Sequence, residues 1–355
     1  FFAIAVFHIT LVHWSTESIA VADRSLLLNG VEVYARSLAF SGFTVVFLTT
    51  LLIAYSHTQL TRRLRLFGFL CFGWLAFSAV IHSPWGFLSW DIYPLILFGV
   101  LAATIAERWH RKILWGMGAL GLVVLCLPVW ELSQFLKVSY HLGNVLGIVS
   151  CSSQKAEWPI LPWMGLVWLG YGCGCALRSG QYSPESSLWN VTTKEMAVWG
   201  PGLVLGALTW GGYYNIQLGG QFACEAYRQD PLVFWGHFVW VLFFVRLSLD
   251  GRVQRFLGRL SLVRWISTLA ISRKFWLAYI CHYFIAHILS HVVWAVELHR
   301  YRFHDHVIEL ICFAYLPLTE IVTRGILGLG KEAQKVWSKL NPEGAAVRHS
   351  HHPET

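Results

Sequence analysis

Residues 37–61 read SLAFSGFTVVFLTTLLIAYSHTQLT, a run without Asp, Glu, Lys or Arg that is closed by Arg36 at one end and Arg62 at the other. A helix needs about 20 mostly apolar residues to cross the roughly 30 Å hydrocarbon core of a bilayer. Basic residues at its ends mark where the chain enters and leaves. Windows of the same kind cover 66–90, 113–130, 158–177, 196–224 and 275–296, with shorter ones at 92–106, 231–245 and 307–327; the last is interrupted by Glu309, Glu320 and Arg324. The chain opens inside an apolar run, Phe1 to Val12, without Met or a basic leader. That run reads as the remainder of a first span rather than a signal peptide, since no small-residue cleavage site follows it. The expected fold is all-α: a polytopic integral membrane protein of about ten transmembrane helices. One transmembrane domain covers residues 1–327, and a polar cytoplasmic tail covers 328–355.

Composition points the same way. Of the 355 residues, 56% are hydrophobic and 13% charged, about half the charged fraction of a soluble domain, and the mean hydropathy is +0.53. So few charges cannot clothe a water-facing surface, and disorder, coiled coil and collagen are excluded by the same numbers. Alternating the spans from a cytoplasmic N-terminal side puts 20 of the 27 Lys and Arg inside. The outer side receives Arg24, Arg36, Lys137, Lys155, Arg228, Arg300 and Arg302. This is the positive-inside bias of an inner (plasma) membrane protein with both termini cytoplasmic. It accounts for the net charge of +8 through attraction to anionic lipid, without nucleic acid as a partner. Between Asp250 and Ser272, Arg252, Arg255, Arg259 and Arg264 alternate with Leu, Phe, Val and Ile; this spacing predicts a cytoplasmic amphipathic helix lying in the interface.

Six of the eight cysteines fall in expected spans and read as small hydrophobes; no metal site is expected, Cys173-Gly-Cys175 included. Cys151 and Cys224 alone fall on the oxidising side and form a candidate disulfide.

Ionisable groups inside a span are costly and are functional candidates by default. His8 lies within the first span, with His13 near its outer end. An imidazole there can accept a proton from an attacking hydroxyl or amine, or hydrogen-bond a neighbouring helix. Arg62 and Arg65, neighbours on a helix, lie with Arg63 at the inner rim, where guanidinium groups can hold phosphate or simply anchor the span. Asp91, beside Trp90, can orient a base or a sugar, or cap a helix. Pro159, Pro162 and Trp163 open a span whose glycines Gly165, Gly170, Gly172 and Gly174 permit close helix packing.

These stretches together resemble the bacterial membrane proteins related to heparan-α-glucosaminide N-acetyltransferase, within the type-three membrane acyltransferase superfamily. Phe1-Phe-Ala-Ile-Ala-Val-Phe-His8 is similar to the opening of that family. Ala35-Arg36-Ser-Leu-Ala-Phe-Ser-Gly-Phe-Thr-Val-Val-Phe-Leu, followed by the basic turn Arg62 to Arg65, resembles its second span. Ile96-Leu-Phe-Gly99-Val-Leu resembles its Phe-Gly-Ile-Leu-His segment, with Ala102 in place of the histidine. Pro159-Ile-Leu-Pro-Trp163-Met-Gly-Leu-Val-Trp-Leu-Gly170 resembles its Pro-Leu-x-Pro-Trp-x-Gly-Val, and Ile271 to His282 is similar to a late Ser-Leu-x-x-Tyr-x-x-His span. The resemblance covers roughly residues 1–290. It implies transfer of an acetyl or other acyl group from cytosolic acyl-CoA (acetyl-CoA), as donor substrate, to the hydroxyl or amine of an extracytoplasmic sugar or glycan. His8, with His13 and Asp91, would then be catalytic, Arg62, Arg63 and Arg65 would bind the donor, and Arg36, Trp163 and His282 would line the acceptor path.

The alternative is a non-enzymatic membrane subunit of a larger, cofactor-bearing complex, in which His282, His287 and His291 could ligate haem or chlorophyll. A homo-oligomer fits either reading. A secondary transporter lacks the inverted repeats and Gly-broken span pairs it would need.

Overall fold

The computed structural model describes residues 41–56, 59–81, 92–123, 160–180, 183, 185–217, 231–274, 277–278, 280–282, 284–285, 288 and 304–340. The chain forms two compact units, one of residues 29–264 and the other of residues 1–28 with 265–355. The described residues are all-helical, with no strand among them. In chain order the helices are α1 (Ser41–Ser56), α2 (Leu60–Ile81), α3 (Ile92–Trp109), α4 (Arg111–Val123), α5 (Ile160–Ser179), α6 (Thr193–Gln217), α7 (Pro231–Ser248), α8 (Gly251–Arg259), α9 (Ser261–Thr268), α10 (Ala270–Arg273) and α11 (His304–Leu340). Among the described residues, α3 is the one helix long and apolar enough to cross a membrane, and shorter apolar stretches lie at Val46–Ser56 and Phe238–Ser248.

In the larger unit, α5 packs on α1, α3 and α4, and α6 packs on α7. The reason lies in glycines rather than large side chains. A Cβ on Gly174 would run into the Leu51 carbonyl of α1, and one on Gly170 into Phe47 O and the Thr50 hydroxyl. On the α4 side a Cβ on Gly121 would meet Gly165 Cα at 2.6 Å, and on the α3 side one on Gly99 would meet the Met164 sulfur at 2.8 Å. Backbones approach this closely only where small residues leave the space. The buried Thr50 hydroxyl is satisfied within its own helix, donating to Val46 O at 2.8 Å.

Outward faces of the same helices are apolar: Leu52, Phe72, Leu75, Phe98, Leu101, Ile105, Leu120, Val204, Leu205 and Leu208 are all exposed. In the smaller unit, α10 packs on α11. Its seat is Glu320 of α11, whose carboxylate accepts from Ala270 N at 2.8 Å and Ile271 N at 2.9 Å and so caps the N-terminus of α10.

Three elements differ from the sequence reading. The basic residues 62–65 do not link two spans but lie in the opening turns of α2. The expected single amphipathic helix over 250–272 is three short ones, because Leu260 and Leu269 adopt extended backbone between them. The polar tail expected from residue 328 is helical to Leu340 and continuous with α11. Lys331, Glu332, Ala333, Gln334 and Lys335 are strong helix formers, and Glu332 pairs with Lys335 at 2.6 Å.

Candidate functional site

The ends of four helices meet on one carboxylate. Glu107, in the last turn of α3, accepts from the Tyr171 hydroxyl at 2.8 Å through Oε2. Arg63 Nη2 approaches the same oxygen at 3.3 Å, and Arg178 Nη2 donates to Oε1. Arg178 also donates through Nη1 to the Ala54 carbonyl at 2.8 Å, which reaches the otherwise unpartnered carbonyls at the end of α1. Tyr171 and Arg178 are two helical turns apart on α5 and so share a face. Arg63 lies 6.0 Å from the Tyr171 ring centroid, and the Thr104 hydroxyl is 3.3 Å from the Tyr171 oxygen. Two cations, one anion and a phenol thus close the ends of α1, α2, α3 and α5, with every oxygen of Glu107 engaged. Chemically this is a clasp: a carboxylate that holds two guanidinium groups and a phenol is kept in its charged form and makes a poor base for a substrate proton.

The clasp divides the three arginines expected to bind the donor. Arg63 is drawn inward to Glu107. Arg62 and Arg65 are exposed and form no ion pair or hydrogen bond through their side chains among the described residues. Three positions apart, they share one side of the α2 entrance, where a helix N-terminus itself favours anions.

A second cluster ties the segment before α6 to the segment after α7. Thr192 and Glu195 form a capping box: Glu195 N donates to Thr192 Oγ1 at 3.1 Å, and Thr192 N to Glu195 Oε2 at 3.4 Å. Arg246 grips the same carboxylate with both Nε and Nη2, at 2.6 and 2.9 Å, and donates to Trp189 O. Asp250 is buried, 1% exposed. It caps α8 by accepting from Arg252 N at 2.8 Å and accepts from Val191 N at 2.8 Å. Its carboxyl is held well below the usual carboxylate range, first by the hydrogen bond from the Arg252 side chain and then by the backbone N–H groups of Val191, Arg252 and Val253.

The remaining expected residues are distributed as follows. Trp163 is buried in the first turn of α5, at 2% exposure. His282 is fully buried on helical backbone near buried Ala278 and Cys281. His8, His13, Arg36, Asp91, Cys151 and Cys224 lie outside the described residues, as do His287 and His291. Among the described residues no group of His, Cys, Asp or Glu could hold a metal ion. Glu107, Tyr171, Arg178, Glu195 and Asp250 were not singled out from the sequence. The available signal was an acid among basic residues at the end of an apolar run, which calls for a cationic partner.

No protein family, curated protein or solved structure matches the chain.

Proposed function

We propose that the protein is a polytopic inner-membrane acyltransferase of about ten spans, which moves an acyl group from cytosolic acyl-CoA to the hydroxyl or amine of an extracytoplasmic glycan. Membrane residence is supported by an inverted distribution of side chains. Leu, Phe and Val cover the outward faces, and the ionised Glu107, Arg63 and Arg178 turn toward one another, the arrangement that hydrocarbon favours. The alternating topology is supported by what the clasp joins. The end of α1, the start of α2, the end of α3 and the end of α5 would all lie at the cytoplasmic rim if the spans alternate, and they meet at one point.

The observation that carries acyl transfer is the pair Arg62 and Arg65, exposed side by side and without an ion pair among the described residues. Two guanidinium groups at that rim suit the phosphates of a nucleotide-linked donor. In the reaction, His8 takes the proton of the acceptor hydroxyl or amine as that group attacks the thioester carbonyl. The new C–O or C–N bond forms, the C–S bond breaks, and the imidazolium returns the proton to the departing CoA thiolate. Asp91 orients the imidazole, His13 is the alternative base, and Arg36 meets the acceptor.

The test separates the two ends of the site in the purified protein. Arg62→Ala with Arg65→Ala should weaken acetyl-CoA binding about 100-fold, at about 1.5 kcal/mol for each charge-assisted contact. His8→Ala should abolish transfer and leave binding intact. Full transfer by His8→Ala would overturn the mechanism. One observation favours the second reading, a membrane subunit without catalysis: the carboxylate of Glu107 is taken up by Arg63, Arg178 and Tyr171 and serves packing rather than chemistry. Visible absorbance from a bound pigment, with no acetyl-CoA binding, would decide for it.

A further inference from the structure

We infer that α8 and the residues that follow it form a binding surface for anionic phospholipid, with Arg255 and Arg259 holding headgroup phosphates and Phe256, Leu257 and Leu262 entering the acyl boundary. The inference rests on the membrane placement proposed above and is independent of acyl transfer.

The helix Gly251–Arg259 carries three arginines and no acidic residue. At positions i, i+3 and i+7 the arginines share one side. Arg252 is internally committed: its side chain donates to Asp250 Oδ2 and to Val191 O, at 2.9 and 2.8 Å. Arg255 and Arg259 are exposed and form no ion pair or side-chain hydrogen bond among the described residues. Close to these arginines in the chain, large apolar side chains stand out of the protein: Phe256 is 61% exposed and Leu262 63%, with Leu257 and Leu260 also exposed.

Neither bulk solvent nor hydrocarbon suits both sets of side chains. In water the apolar side chains would form a standing patch, and within hydrocarbon bare guanidinium groups are expensive. At the interface the apolar side chains sink a few ångströms and the guanidinium groups stay among phosphates, where each binds two oxygens in the plane of its fork. Charge complementarity selects the lipid: Arg255 and Arg259, without a balancing acid among the described residues, favour anionic over zwitterionic headgroups. A nucleic acid or acidic polypeptide would engage the arginines but leave Phe256 and Leu262 in water.

The structure also fixes where this surface sits. Asp250 caps α8 two residues after the end of α7 at Ser248, and its bond from Val191 N holds the helix start against the segment leading into α6. Gln254 Nε2 adds a bond to Ser248 O at 2.8 Å. The helix therefore leaves the inner end of α7 at once, in a set position, rather than on a free loop.

The test uses the full chain in nanodiscs of phosphatidylcholine alone or with about a third phosphatidylglycerol, followed by hydrogen–deuterium exchange. Amides of residues 251–268 should exchange more slowly in the anionic discs. Arg255→Gln with Arg259→Gln should raise their exchange there about 30-fold, to the rate in phosphatidylcholine, from about 1 kcal/mol for each arginine near an anionic surface. Amides of α6 and α7 report that the fold is intact. Equal protection in both discs, full protection in the double variant, or equal protection in phosphatidylcholine on adding an acidic polypeptide would overturn the inference. A chain that enters the discs but shows no lipid dependence refutes this inference alone. A chain soluble without detergent refutes the membrane placement as well.

Discussion

Replacing Glu107 by Gln keeps the shape of the side chain and removes its charge. The carboxylate accepts from Arg63, Arg178 and Tyr171. The amide offers one acceptor oxygen, and its NH2 faces a guanidinium that can only donate. Two charge-assisted contacts are lost and a donor is set against a donor. A hydrogen bond to a charged group contributes about 1.5–3 kcal/mol, and removing one partner of a fully buried pair costs about 3–5 kcal/mol. The side chains here are 12–24% exposed, so water recovers part of the loss, and the expected destabilisation is about 2–4 kcal/mol. The protein supplies its own control. Glu332 pairs with Lys335 with both side chains about two-thirds exposed, so Glu332→Gln should cost no more than about 0.5 kcal/mol. The assay is reversible unfolding by SDS in mixed micelles, followed by tryptophan fluorescence, with Arg178→Gln added to close a double-mutant cycle. A coupling of at least about 1 kcal/mol between positions 107 and 178 is expected. Glu107→Gln indistinguishable from Glu332→Gln, or additive with Arg178→Gln, would refute the reasoning.

Two further outcomes follow from the geometry and a third from the sequence. Gly174→Leu should part α1 from α5 by more than the usual 1–3 kcal/mol of overpacking, about 3 kcal/mol or more, whereas Gly116→Leu, with open space around its Cβ position, should cost about 1 kcal/mol or less; the same unfolding assay compares them. Asp250 has a folded pKa below its unfolded one, so its contribution is complete above the unfolded value of about 4 and is lost as pH falls through the folded value. The stability difference between wild type and Asp250→Asn should therefore shrink as pH drops from about 5 toward 3, and a difference that grows on acidification would contradict the charged cap described for Asp250. Cys151 and Cys224 should appear as one disulfide-linked peptide in a non-reducing digest; two free thiols there would remove the bridge.

The apolar windows made the helices legible, since hydrophobicity over about 20 residues is a local property of the chain. Their ends were less so. The second helix begins at Leu60, ahead of the arginines rather than after them, because the guanidinium stems can lie along the first turns of α2 instead of breaking it. The interruption at Leu260 is a backbone choice that the pattern of apolar and basic residues does not encode: a leucine there suits a helix as well as the extended cap it forms. The helix beyond residue 328 was hidden by its polarity, although its propensity was plain. The clasp could not be read because its members, at positions 63, 107, 171 and 178, come together only through packing set by absent side chains on α5. The sequence marked the cluster Arg62, Arg63 and Arg65, and only the position of Glu107 separated Arg63 from the other two.

The seam between α1 and α5 has a consequence for how the molecule tolerates change. Gly170 and Gly174 bring α5 onto the main chain of α1, so the distance between the two axes is measured out by backbone atoms. Seams filled by leucines and phenylalanines can be re-cut, one residue growing as its neighbour shrinks. This one has nothing to trade. It acts as a weld, fixing the gauge of the bundle while the outward leucines and valines remain interchangeable with any residue of similar oiliness.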